Sequence, residues 1–148
     1  MKMRKLTALV LSAALALGLC AMAPAAEHMS SFQKTASYTG QFKDVWSGAW
    51  YADSAKICYE YGLMQGTYGK FNPRGTVSVA EALTLSCRIH EVYNNGKSAV
   101  KSGSGANWYR PYVEYAVKEG LIQAGDFDDY TRAATRAEVA YLFADALP

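Results

Sequence analysis

From Trp50 onward the apolar positions fall into stripes with helical spacing. Tyr51, Ala55, Cys58 and Tyr59 recur three and four residues apart, with Lys56 and Glu60 off that face, which predicts an amphipathic helix. Gly62 stops it as a left-handed C-terminal residue does, and Leu63 and Met64 behind it can fold back onto the helix end. A second stripe follows in Ala80, Leu83, Cys87 and His90, with Ala82, Leu85 and Ile89 beside it. A helix apolar over so much of its surface is expected to be central.

The pattern then returns. "WYADSAKICYEYGLM" from Trp50 aligns without a gap on "WYRPYVEYAVKEGLI" from Trp108, so that Trp50, Tyr51, Gly62 and Leu63 fall on Trp108, Tyr109, Gly120 and Leu121. One deleted residue in the next loop brings Ala80-Glu81 onto Ala137-Glu138. The later helix carries a stripe of Ala137, Ala140, Ala144 and Leu147, flanked by Val139, Leu142 and Phe143. The fold class read from this is all-α, with two tandem helix-loop-helix units at 42–93 and 107–148. A lead-in at 27–41 precedes them. The Gly/Ser-rich stretch 94–106 between them reads as a solvated connection.

The first 26 residues read as a secretory signal peptide: a basic start, a short apolar run, then small residues for cleavage near Ala25 or Ala26. Lipid attachment at Cys20 is a minor alternative, since Leu19 before it is bulky. Loss of Lys2, Arg4 and Lys5 with the leader takes 15 cations to 12 against 13 anions, a net charge of −1. No basic patch argues for nucleic acid, and no transmembrane segment is expected in the mature chain. Cys58 and Cys87 then remain, either as a disulfide between neighbouring helices or as two small buried thiols.

Ser78-Val79-Ala80-Glu81 and Thr135-Arg136-Ala137-Glu138 are both S/T-x-x-E capping boxes, each serving a helix start. Capping accounts for the hydroxyl and the glutamate but not for Arg136. A cation in the first turn opposes the helix dipole, and it makes physical sense if an anion sits at the helix end. Arg132 and Arg74 precede the two caps, and either joins such a site or faces solvent.

Taken together, Phe42-Lys43-Asp44-Val45, Trp50, Gly62-Leu63-Met64-Gln65-Gly66, Phe71-Asn72-Pro73 and Thr135-Arg136-Ala137-Glu138 resemble the S-layer homology (SLH) repeat, over nearly all of the mature chain. The resemblance implies repeats that pack as part of a pseudo-threefold bundle. It also implies a secreted, cell-surface module that anchors an exported protein by binding a secondary cell-wall polymer, often one carrying pyruvylated sugar. The expected polymer-binding residues are Arg136, Thr135, Glu138, Trp108 and Arg132. Val79 departs from the motif, so the first repeat is expected to be structural or weakly binding. Trp50 and Trp108 either border a sugar groove or pack in the core. The family usually has three repeats and two are read here, which leaves an apolar helix face uncovered. The alternative function is therefore protein–protein interaction or self-assembly, with that face recruiting a third repeat.

Other chemistry finds little support. Cys87 and His90 are one helical turn apart, and with Cys58 a nucleophile pair or zinc site can be drawn, but a third ligand and an orienting carboxylate are missing. His90 is accounted for by a core or helix-end position. Asp126, Asp128 and Asp129 lack calcium-loop spacing and read as turn residues. The chain is expected to be no enzyme and to need no cofactor or metal.

Overall fold

A computed structural model describes residues 30–147; the expected signal peptide and Cys20 lie outside the described residues. Four α-helices carry the fold: α1 (Ala52–Glu60), α2 (Val79–Asn95), α3 (Arg110–Lys118) and α4 (Arg136–Ala144), with a single 3-10 turn at Gly105–Asn107. Among the described residues no sheet forms, only the isolated bridges Thr67↔Lys70 and Ser78↔Ala133. The protein is all-α.

Both capping boxes are closed. Ser78 Oγ accepts from Glu81 N, and Thr135 Oγ1 accepts from Glu138 N. In return each glutamate accepts from its cap's backbone N–H, at 2.8 Å and 2.7 Å. Gly62 and Gly120 take φ of +71° and +78°, so Leu63 N and Leu121 N turn back to Cys58 O and Ala116 O. Gly66 is demanded by closeness as well, because a Cβ there would lie 2.4 Å from Lys70 O and 2.6 Å from the Phe42 ring.

Helix α2 is central and packs against both α3 and α4. Val79, Ala82, Leu83 and Cys87 meet Tyr112 and Ala116 of α3, Leu121, Ile122 and Phe127 of the following loop, and Leu142 of α4 in one core. Ser86 donates to Leu142 O and ties α2 to α4. A separate aromatic group of Tyr38, Phe42, Tyr59 and Phe71 closes α1 onto the loop before α2. Asp44 supports that loop by accepting from Phe71 N and Asn72 N, both at 2.8 Å.

Four expectations need correction. Glu60 lies on a covered face and is 6% exposed. The 34–38 stretch of the lead-in folds over it: Lys34 Nζ reaches Glu60 Oε2 at 2.8 Å, Tyr38 N donates to Oε1, and Thr35 N donates to Glu60 O. The expected stripe of Ala137, Ala140, Ala144 and Leu147 faces outward, with Leu147 already beyond the end of α4, while Leu142 is buried with Val139 and Phe143 beside it. The segment read as a solvated connection is fastened to α2, since Glu91 accepts from Ser98 Oγ, Ala99 N and Val100 N. Helix α2 also runs to Asn95, five residues past His90, so His90 does not end it. Its Nδ1 lies 2.7 Å from Tyr115 Oη.

Candidate functional site

The segment 130–134 lies between the starts of the two helices with capping boxes and treats them differently. At α2 it supplies carbonyls to the first free amides: Val79 N donates to Arg132 O and Ala80 N to Tyr130 O, at 3.1 Å and 2.8 Å. Ala134 N returns a bond to Val77 O. The start of α2 is thereby sealed, and Val79 is 0% exposed. At α4 nothing equivalent occurs among the described residues. Arg136 is exposed, and among the described residues its guanidinium makes no hydrogen bond or ion pair and no carbonyl meets the Arg136 and Ala137 amides.

Beside it, Arg132 clasps Glu138 with both terminal nitrogens, Nη2 to Oε1 at 2.5 Å and Nη1 to Oε2 at 3.0 Å. The same carboxylate closes the capping box. The Arg132 hydrogen bond, with help from Thr135, holds the Glu138 carboxyl down at about 2. Arg132, Thr135 and Glu138 are thus brought into one cluster in which each charge already has a partner. Arg136 stands next to that cluster as a cation without a partner among the described residues.

Trp108 is elsewhere. It is half-buried, packs on the core and meets Tyr109 edge-on. Among the described residues no hydrogen bond or ring contact joins it to Arg136. Trp50, its counterpart, is 93% exposed.

The Asp-rich turn is held by its own hydrogen bonds. Asp126 accepts from Gln123 N and from Tyr141 Oη, and Asp129 accepts from Thr131 N and Oγ1. Among the described residues no group of His, Cys, Asp and Glu could hold a metal ion, and no helix is long and apolar enough to cross a membrane. Cys58 and Cys87 are free thiols. Cys87 donates to Tyr112 O while His90 meets Tyr115, and burial pushes its thiol up to about 12, far from a reactive thiolate at neutral pH.

Sequence reasoning missed an aromatic shelf between the start of α1 and the loop before α2. Trp46 is largely exposed and its ring lies over Gly48, where a Cβ would come within 2.6 Å of it. Trp46, Tyr51, Asn72 and Arg74 line an open cleft of about 450 Å³. The signal available in the sequence was a second indole four residues before Trp50, among small and polar residues that belong to no helix.

The S-layer homology domain model matches residues 41–83. Over 116 residues, 72% of this chain, it is 27% identical to the exoglucanase XynX of Acetivibrio thermocellus and 28% identical to an amylopullulanase of Thermoanaerobacterium thermosulfurigenes. Those stretches are 11% and 6% of the two relatives. Over 101 residues it is 26% identical to a surface-layer 125 kDa protein of Lysinibacillus sphaericus, covering 66% of this chain and 9% of that protein. The chain thus spans only a small fraction of the length of each of these relatives. No solved structure matches.

Proposed function

With residues 41–83 an S-layer homology domain, we propose that this chain anchors an exported protein to the bacterial cell envelope by binding an acidic, pyruvylated secondary cell-wall polymer. Its place is the cell surface. The similar stretches in two proteins named for glucan chemistry and one named for a surface layer are a small part of each, which supports a shared module and not a shared reaction. The chain is not read as an enzyme, in keeping with a buried, protonated Cys87.

The observation that carries the ligand class is Arg136. A guanidinium in the first turn, without a counter-ion and beside two free backbone amides, offers charge-assisted hydrogen bonds to a carboxylate such as an acidic ketal. Thr135 and Glu138 shape that helix end, Arg132 holds Glu138 in place, and Trp108 supports the helix that opens the second repeat. The test is a pull-down with the producer's own sacculi. Binding is expected to fall with Arg136→Ala and with removal of the secondary polymer. Retention by stripped sacculi would reject the polymer as ligand.

A second reading rests on a different observation. The exposed face of α4, formed by Ala137, Ala140, Tyr141 and Ala144, with exposed Leu147 just beyond its end, together with its unsealed start, fits a further repeat packing there as 130–134 packs on α2. Sedimentation of the purified chain tests it, and a monomer at all concentrations speaks against self-assembly.

A further inference from the structure

We propose that the cleft at the C-terminal half of α2 is a second anion subsite, distinct from the start of α4, which takes a carboxylate- or phosphate-bearing sugar unit. The cleft encloses about 350 Å³, at the lower end of small-ligand sites. The lead-in supplies Gln33 and Thr35 to its wall, α2 supplies Arg88, the turn after α2 supplies Lys97 and Lys101, and the second repeat contributes Tyr112. Three cations therefore line one concave surface, and no carboxylate lines it.

Among the described residues none of the three forms an ion pair. The ion pairs among the described residues are Lys34–Glu60, Lys118–Glu119 and Arg132–Glu138. Arg88 is half-buried and donates to neutral acceptors, Leu63 O at 2.9 Å and Tyr112 Oη at 3.4 Å, with its guanidinium carbon 5.9 Å from the Tyr112 ring centre. Glu91, one turn along α2, spends its carboxylate on Ser98, Ala99 and Val100. An anion in this cleft would gain charge-assisted hydrogen bonds from cations that no carboxylate of the lining pairs with.

The walls are set before any ligand arrives. Thr35 N and Ala36 N are bonded to Glu60 O, which fixes the lead-in, and Val100 N is bonded to Glu91, which fixes the turn between Lys97 and Lys101. Fixed walls lower the ordering cost of binding. Ser98, Ser102 and Gln33 add hydroxyl and amide groups suited to a sugar's hydroxyls. That a sugar carries the charge rests on the polymer reading above; the anion site itself does not.

The experiment is an NMR titration of the full chain with trigalacturonate, glucose 6-phosphate and maltotriose. The amides of 96–102 are expected to move with the carboxylate probe, the phosphate probe or both, and not with the neutral sugar. The double variant Lys97→Glu/Lys101→Glu alters exposed side chains only, and it is expected to weaken that binding about tenfold or more. Arg136→Ala is expected to leave it unchanged. Lys97→Gln alone, with a smaller loss, serves if the double variant is misfolded. Shifts confined to 134–138 would remove this cleft while leaving the polymer reading standing. Equal shifts with maltotriose, or an affinity within about twofold of wild type in the charge-reversed variant, would also overturn it. Binding here with no retention on sacculi would keep the anion subsite and remove the polymer reading.

Discussion

Val79 and Arg136 hold the same first-turn position in two equivalent helices, and only Val79 is covered. The carbonyls of Tyr130 and Arg132 accept from the first amides of α2 and the segment covers Val79 in the core, whereas α4 begins in the open. The two residue types follow from that difference. A side chain sealed under a backbone segment must be apolar, and one at an unsealed positive helix end can carry charge if an anion visits it.

Exchanging the two is therefore asymmetric. Val79→Arg buries an uncompensated cation and is expected to cost about 3 kcal/mol or more. Arg136→Val is expected to stay within about 0.5 kcal/mol of wild type. Urea unfolding of both variants measures this, and equal losses would mean that the two helix starts are equally covered.

Glu60 fastens the lead-in to α1. Its carboxylate holds Lys34 and the Tyr38 amide, and the Lys34 hydrogen bond keeps it below the usual carboxylate range. Glu60→Ala should speed amide exchange at Tyr38 and leave Leu83 and Leu142 protected. Uniformly faster exchange would show instead that the lead-in and the core open together.

The parts of this fold that were legible in the sequence are those written within a few residues. The capping boxes need four positions each, and Gly62 and Gly120 mark helix ends by their own backbone freedom. What was hidden depended on distant partners. Glu60 looks like a solvent residue until Lys34 and Tyr38 are placed over it, and the lead-in has no periodicity to announce that. Helix α4 is apolar nearly all round, so its pattern could not choose between Leu142 and the Ala137–Ala140–Ala144 stripe; Ser86 and the core chose Leu142. At the candidate site, the type of Arg136 was readable from its mismatch with the dipole. The Arg132–Glu138 clasp was not, because it depends on the turn through Ala133 and Ala134 and not on helical spacing.

Cys87 offers a check on the core. Its thiol is 0% exposed, donates to Tyr112 O and is pushed up to about 12 by burial, so native protein at pH 8 should leave it unmodified by iodoacetamide. Cys58 is half-buried and also raised by burial, and it should react slowly but measurably. Peptide mapping after alkylation separates the two. Rapid labelling of Cys87 without denaturant would contradict the packing of α2 against α3, whereas labelling of both in guanidinium is expected.

Glu138 couples the candidate site to pH. Its carboxyl falls from an ordinary 4.5 to about 2 in the folded chain, chiefly through Arg132 and then through Thr135. A group depressed in this way contributes stability that is full above its unfolded value and is lost as pH falls toward the folded one. Asp44, Asp126, Asp129 and Glu60 are lowered too, so the whole protein should weaken across that acid range. Glu138→Gln isolates one contribution, because glutamine can still accept from the Thr135 amide but cannot pair ionically with Arg132. Its deficit relative to wild type should be largest at pH 7, shrink between about pH 4.5 and 2, and nearly vanish below. Urea melts at pH 7, 4, 3 and 2 measure it. A deficit that stays constant across the series would mean the clasp does not set the stability of this helix start, and Glu138 would then act through the cap alone.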